Sequence, residues 1–204
     1  AIQQDDLKRL VAYSSIAHMG LMCLAIFSTT DTGLQGVMIQ MFSHGINIIG
    51  LWIVVEIIER RFHTRKISEL GGLAQKAPAL AILLVTVALA NVALPLTNAF
   101  IGEFLMFTGV FTSNVSQYNY IYTAVAGISI ILSAVYTLNM IQKVFYGNTN
   151  TLTATATDLR FNEKLVLIIL VGLILVFGVY PQPMLELTQS TVGELLKRMV
   201  TKHP

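Results

Sequence analysis

An apolar stretch too long to be one membrane-crossing helix constrains this chain more than any other feature. Residues 78–111 are almost continuously apolar. As one straight helix they would measure roughly 50 Å, against a hydrocarbon core of about 30 Å. Residues 88–107 read ALANVALPLTNAFIGEFLMF, so Asn91, Pro95 and Asn98 interrupt the run near its middle. Pro95 removes a backbone donor and clashes with the preceding turn. The simplest solution is two half-helices joined by a short unwound segment. Irregular backbone at membrane depth survives where protein or a wet cavity surrounds it. Eight residues past the proline stands a lone acid, Glu103. An intramembrane carboxylate is costly and points to function. A broken helix with a buried acid is an arrangement used by ion transporters. The plainer reading is a kinked helix whose Glu103 pairs with a neighbouring helix.

The rest of the chain fits a membrane setting. Only 12% of the 204 residues are charged and 54% are hydrophobic, with a mean hydropathy of +0.69. Soluble domains average roughly 25% charged. A net charge of +2 gives no reason to expect nucleic acid as a partner. With Cys23 as its single cysteine, the chain cannot form an internal disulfide or a cysteine-based metal site. It carries no dinucleotide glycine pattern, phosphate loop or metal-spaced His/Cys cluster. No metal, cofactor or catalytic residue is therefore expected here, and any linked redox chemistry belongs to another subunit.

Hydropathy predicts five spans, at about 7–27, 33–58, 78–111 (broken near Pro95), 118–146 and 165–180. Asp5 or Asp6 is a plausible cap for the first. Lys8-Arg9 before an apolar run could imitate a signal peptide. Ser14, Ser15 and His18 interrupt that run, and it is long enough to span. Because the chain starts at Ala1, it is expected to be a piece of a longer protein. Residues 181–204 are too polar to span; they read as an interfacial amphipathic helix or as a frayed soluble tail. Ten of the thirteen basic residues lie at the start of span one, at the end of span four, or in the loops after spans two and four. The loops at 28–32 and 112–117 have none, so the basic side is predicted to be cytoplasmic. Lys197, Arg198 and Lys202 in the tail are the exceptions.

Gln40, His44 and Asn47 in span two fall at i, i+4 and i+7 and share a face. Such a stripe must face the bundle interior. Histidine can accept on one ring nitrogen and donate from the other, which suits a proton relay. It can equally serve as a hydrogen-bonding tie between helices. His18 in span one poses the same choice. Lys8, at the edge of its span, reads either as a relay member or as an orientation charge that snorkels to the interface. Glu56 and Glu59 are expected to meet Arg60, Arg61 or water.

Three motifs, in order and at matching spacing, carry a resemblance over essentially the whole chain. Residues 6–20 read DLKRLVAYSSIAHMG, residues 42–45 read FSHG, and Leu94-Pro95 is followed by Gly102-Glu103. Together they resemble the proton-conducting membrane transporter family. Its members are the antiporter-like subunits of respiratory complex I and of multisubunit sodium/proton antiporters. Most branches carry a lysine on the second half of the broken helix, whereas the M-type branch carries a glutamate, as here. The position four residues after His44, a lysine in the L-type branch, is Ile48. Asn98-Ala99 departs from the Gly-containing turn of many relatives.

The resemblance implies an all-α, polytopic membrane helix bundle with a discontinuous helix, the second half of an antiporter-like inverted-repeat fold. It implies a subunit of the proton-translocating enzyme NADH:quinone oxidoreductase in an energy-transducing inner membrane. Its partners would be the L-type and N-type antiporter-like subunits. A sodium/proton antiporter subunit and a purely structural scaffold are the alternatives. The implied mechanism is a hydrated relay through Lys8, His18, His44 and Glu103. In it His44 shuttles between the lysine and the glutamate, and Glu103 releases toward the outside along the second half-helix.

Overall fold

A computed structural model describes residues 1–201, and the side chains of all but the last two of these. Lys202 and the end of the predicted 181–204 segment lie outside the described residues. The described residues form helices joined by short loops, with one isolated bridge between Asp6 and Lys66. The helices are α1 (Leu7–Phe27), α2 (Asp31–Phe62), the single turn α3 (Leu73–Lys76), α4 (Pro78–Asn91), α5 (Asn98–Phe111), α6 (Asn119–Val144), α7 (Phe161–Val179) and α8 (Gln182–Thr201). Of these, α1, α2, α6 and α7 are each long and apolar enough to cross a membrane. The half-helices α4 and α5 have 14 residues each, about 21 Å, too short to cross singly.

Local chemistry sets the helix ends. The Asp6 carboxylate caps α1, accepting the Arg9 N–H at 3.0 Å, and pairs with Arg65 Nε at 2.5 Å. Partial burial raises its pKa, but these donors outweigh it and hold the carboxyl below its usual value. Thr30 caps α2 through Gly33 N–H at 3.2 Å. Helix α2 runs to Phe62, past the predicted end at 58, because Glu59, Arg60 and Arg61 leave the apolar zone on the same helix. It ends where His63 turns left-handed at φ 53°. Pro78 opens α4, whose free N–H groups at Ala79 and Leu80 donate to Asp158 at 3.0 and 3.1 Å. Arg61 fixes the loop carrying Asp158. It donates to the carbonyls of Thr157 (2.6 Å) and Asp158 (3.2 Å) and pairs with Glu163.

Helix α2 is the axis of the bundle, with α1, α4, α5, α7 and α8 against it. Its approach to α5 is backbone-close. A Cβ at Gly36 would lie 2.6 Å from Met106 N and 2.8 Å from the Gly102 carbonyl. Gly109 packs against the backbone of Gly33 in the same way. Small residues are what allow membrane helices to meet so closely.

The break between α4 and α5 spans residues 92–97, with left-handed backbone at Ala93 (φ 58°) and Leu96 (φ 74°) around Leu94-Pro95. Gly178, near the end of α7, sits against the backbone of Leu96 and Thr97. Asn98 Nδ2 donates to the Ser43 carbonyl at 3.4 Å, and Ser43 Oγ to the Asn98 carbonyl at 3.1 Å. Both neighbours thus hold a segment that helical bonds cannot. A large apolar cluster fills the half of the bundle at the basic end. A smaller one, built from Leu21, Met22, Ala25, Val37, Met106 and Val110, fills the opposite half.

Candidate functional site

Three helices place polar side chains at one depth between the two apolar clusters. Helix α1 brings Ser14, Ser15 and His18, α2 brings Gln40, Ser43, His44 and Asn47, and α5 brings Glu103. Glu103 is 5% exposed and His18 and His44 are each 7% exposed. His18 Nδ1 lies 3.1 Å from Glu103 Oε1. Gln40 Nε2 donates to the same oxygen at 3.4 Å. The His18 and His44 rings are 5.1 Å apart, centroid to centroid, and tilted by 45°. His44 Nε2 bonds Ser15 Oγ at 2.8 Å. His18, His44 and Glu103 are thus one cluster, assembled from residues up to 85 positions apart.

Lys8 is placed elsewhere. It lies at the basic end, 2.5 Å from Glu59 Oε2 and 3.4 Å from Glu56 Oε2, with Trp52 beneath it at 5.9 Å. Ten residues of α1, about 15 Å, separate it from His18. Glu56 also pairs with Arg60, as expected, but both acids meet Lys8 as well. His44 therefore stands beside His18, and it is His18 that touches Glu103. Pro95 lies in the break, two turns before the acid.

The cluster joins an acid and an imidazole by one hydrogen bond, with further polar atoms around them. His18 Nε2, Gln40 Oε1, both polar atoms of Asn47, Asn91 Oδ1 and Asn98 Oδ1 are buried without a hydrogen-bond partner in the protein. Buried polar atoms of this kind are where internal water binds.

One member was not recognised in the sequence. Tyr136 of α6 donates to Ser14 Oγ at 2.9 Å and lies 3.0 Å from Ser133 Oγ. Asn91 Nδ2 donates to the same Ser14 oxygen at 3.1 Å. The available signal was the helical spacing of Ser129, Ser133 and Tyr136 in an otherwise apolar span.

A family model described as NADH:quinone oxidoreductase/Mrp antiporter, TM matches residues 1–133. The chain belongs to this antiporter-like membrane family. Its members include NADH-quinone oxidoreductase subunit M of Rickettsia typhi, 39% identical over 197 residues, which covers 96% of this chain and 39% of that protein. Subunit M of Escherichia coli K12 is 32% identical over the same length. The chain therefore spans about two fifths of the length of these curated relatives. Among solved structures, respiratory complex I from Thermus thermophilus contains a similar chain, at TM-score 0.86 and 31% identity. The alignment covers 96% of this chain and 41% of that one. The Mrp complex from Dietzia shares the fold at TM-score 0.85 and 16% identity, over 96% of this chain and 44% of that one. The antiporter-like family thus supplies the fold class, a polytopic helix bundle with a discontinuous helix.

Proposed function

We propose that this chain is the proton-carrying second half of an M-type antiporter-like subunit of NADH:quinone oxidoreductase. It carries no cofactor; electrons pass from NADH to quinone in other subunits, and this chain moves protons across the membrane. The observation that supports this reading best is the buried contact between His18 and Glu103, with His44 and Gln40 beside it. A pair of titratable groups held together at mid-bundle can exchange a proton when a neighbouring charge changes. Lys8 stands where it can tune entry from the basic end. The chain would sit in an energy-transducing inner membrane, basic end in the cytoplasm, against L-type and N-type subunits.

Glu103→Gln in the whole complex tests the reading. It keeps size and hydrogen bonding but carries no exchangeable acid proton. The expected result is normal assembly with most proton pumping lost, and with it most coupled NADH:quinone activity. Glu103→Asp should retain part of both. Wild-type pumping in an assembled Glu103→Gln complex would leave a purely structural role. Sodium/proton exchange in vesicles without NADH or quinone would point instead to a multisubunit antiporter.

A further inference from the structure

The His18–Glu103 pair needs a connection to one side of the membrane, and the bundle offers two directions. Toward the end opposite the basic loops, the residues beyond the pair are apolar: Leu21 and Ala25 on α1, Val37 on α2, Met106 and Val110 on α5. Buried polar side chains at that end include Ser28 and Ser113, whose hydroxyls donate to backbone carbonyls. Along the interior of α2 toward the basic end, the buried residues from Gly50 to Val55 are also apolar. Apart from the two serines, the buried residues named along these two faces are apolar.

The face of α6 is polar instead. Ser129, Ser133, Tyr136 and Lys143 recur at helical spacing from mid-bundle to the basic end. A cavity of about 10 Å³ touches His18, Glu103, Ser133 and Tyr136. That is the room one water occupies. His18 contributes a buried Nε2 without a partner in the protein. Tyr136 also lines a second, polar cavity of about 180 Å³, together with Asp5, Asn139 and Lys143. Those three residues also line a cleft of about 570 Å³ between the 67–71 loop and the end of α6. Among the residues lining these spaces, Tyr136 is the one shared by the inner cavity and the 180 Å³ cavity.

We propose that the Tyr136 hydroxyl is the port through which protons pass between the basic side and the His18–Glu103 pair. The proposal rests on the relay reading above and adds a route to it. Tyr136 gives its one proton to Ser14 Oγ, so its bond with Ser133 is donated by Ser133. In transfer, the hydroxyl turns from Ser14 toward the inner cavity, and its proton leaves to a water there as the phenolic oxygen accepts a replacement proton from the 180 Å³ cavity. The hydroxyl stays neutral throughout and resets by rotating about its C–O bond. His18 Nε2 then takes up the arriving proton, and Nδ1 releases one to Glu103. No net charge is left on the tyrosine, and no redox partner is consumed.

Tyr136→Phe in the whole complex keeps the ring and removes the hydroxyl. Tyr122→Phe, toward the other end of α6, is the control. We expect assembled Tyr136→Phe complexes to pump about tenfold or more slowly. We also expect a larger slowing in heavy water than in wild type, because proton delivery has become limiting. A merely structural tyrosine would change complex yield and leave the solvent isotope effect per assembled complex as it is in wild type. Wild-type pumping with an unchanged isotope effect in assembled Tyr136→Phe overturns the port. If Tyr136→Phe does not assemble, Ser133→Ala is measured by the same two readouts, and wild-type values of both overturn the port in the same way. Loss of pumping in Glu103→Gln beside normal Tyr136→Phe rejects the port alone. Normal pumping in Glu103→Gln rejects the relay itself.

Discussion

The close approach of α2 and α5 makes Gly36 the most informative position for a stability measurement. In an ordinary helix interior, Gly→Ala stabilises by about 0.8–1.0 kcal/mol through backbone entropy. At Gly36 the new Cβ would meet Met106 N at 2.6 Å and the Gly102 carbonyl at 2.8 Å, both of them backbone atoms. Ordinary van der Waals contact begins at 3.4 Å. Helix α5 must therefore retreat by about 0.6–0.8 Å, a shift that overpacking penalties put at roughly 1–3 kcal/mol. Gly45, on the same helix, has nothing within 4 Å of its Cβ position and serves as the control. Gly45→Ala should be neutral or slightly stabilising, and Gly36→Ala should melt below it by an amount equivalent to about 1–3 kcal/mol. The shift also carries Glu103 away from Gln40, whose bond of 3.4 Å is already long. Pumping per assembled complex should fall with stability. Thermal melting of the purified complex in detergent, read beside pumping in vesicles, checks both. Equal melting of Gly36→Ala and Gly45→Ala would refute the close-packing argument.

Other perturbations separate the site from its supports. Removing His44 by His44→Ala deletes the bond to Ser15 and should cost roughly 0.6–1 kcal/mol, as interhelical bonds in membranes do. Its pumping should fall further than its assembly on native gels, and equal losses would make it a helix tie. Lys8→Met should lower the melting temperature modestly and slow pumping without abolishing it, because Lys8 pairs with Glu59 away from the histidines. Complete loss of pumping in a stable Lys8→Met complex would make Lys8 a relay station. Asp158→Ala removes the acceptor for two N–H groups of α4 and should destabilise by about 1 kcal/mol. Burial raises the Asp158 pKa, but the N–H groups of Ala79, Leu159 and Leu80 and the charge of Lys164 outweigh it and hold it below its usual value. The folded state thus favours the ionised form. The stabilisation is complete above the unfolded pKa of about 3.9 and is lost as pH falls through the lower folded value. Asp158→Asn, which caps but does not titrate, should lack this acid loss. Melting curves between neutral pH and about pH 3 decide it.

The broken helix was legible because its signals are local. An overlong apolar run, a proline inside it and an acid beyond it each follow from composition along a single segment. The shared face of Gln40, His44 and Asn47 was legible for the same reason, since helical spacing fixes which residues lie together. What faces that stripe was not legible. Spacing says nothing about the partner helix, so the contact of His18 with Glu103, and the seat of Lys8 on Glu59 instead, needed the packed bundle. Tyr136 escaped because serines and tyrosines on an apolar helix satisfy local or interfacial bonds as readily as a site. The glycines of α2 and α5 escaped because their role lies in a backbone approach that no side-chain pattern encodes.

The apolar cluster beyond Glu103 also has an electrical meaning. From Glu103 to Val110 is seven residues, or about 10 Å of helix. A dry, weakly polarisable layer sustains a voltage that a polar, watered region largely screens. Under the proposed route through Tyr136, a watered polar face on α6 would leave more of the transmembrane potential to fall across this layer than across the basic half. The pair would then sit electrically nearer the basic side than its place between the two apolar clusters suggests. A membrane voltage of 100 mV is worth about 2.3 kcal/mol per proton carried across the whole drop. On that route, loading the pair from the basic end would meet little of the voltage, and an outward step past Met106 and Val110 would meet most of it.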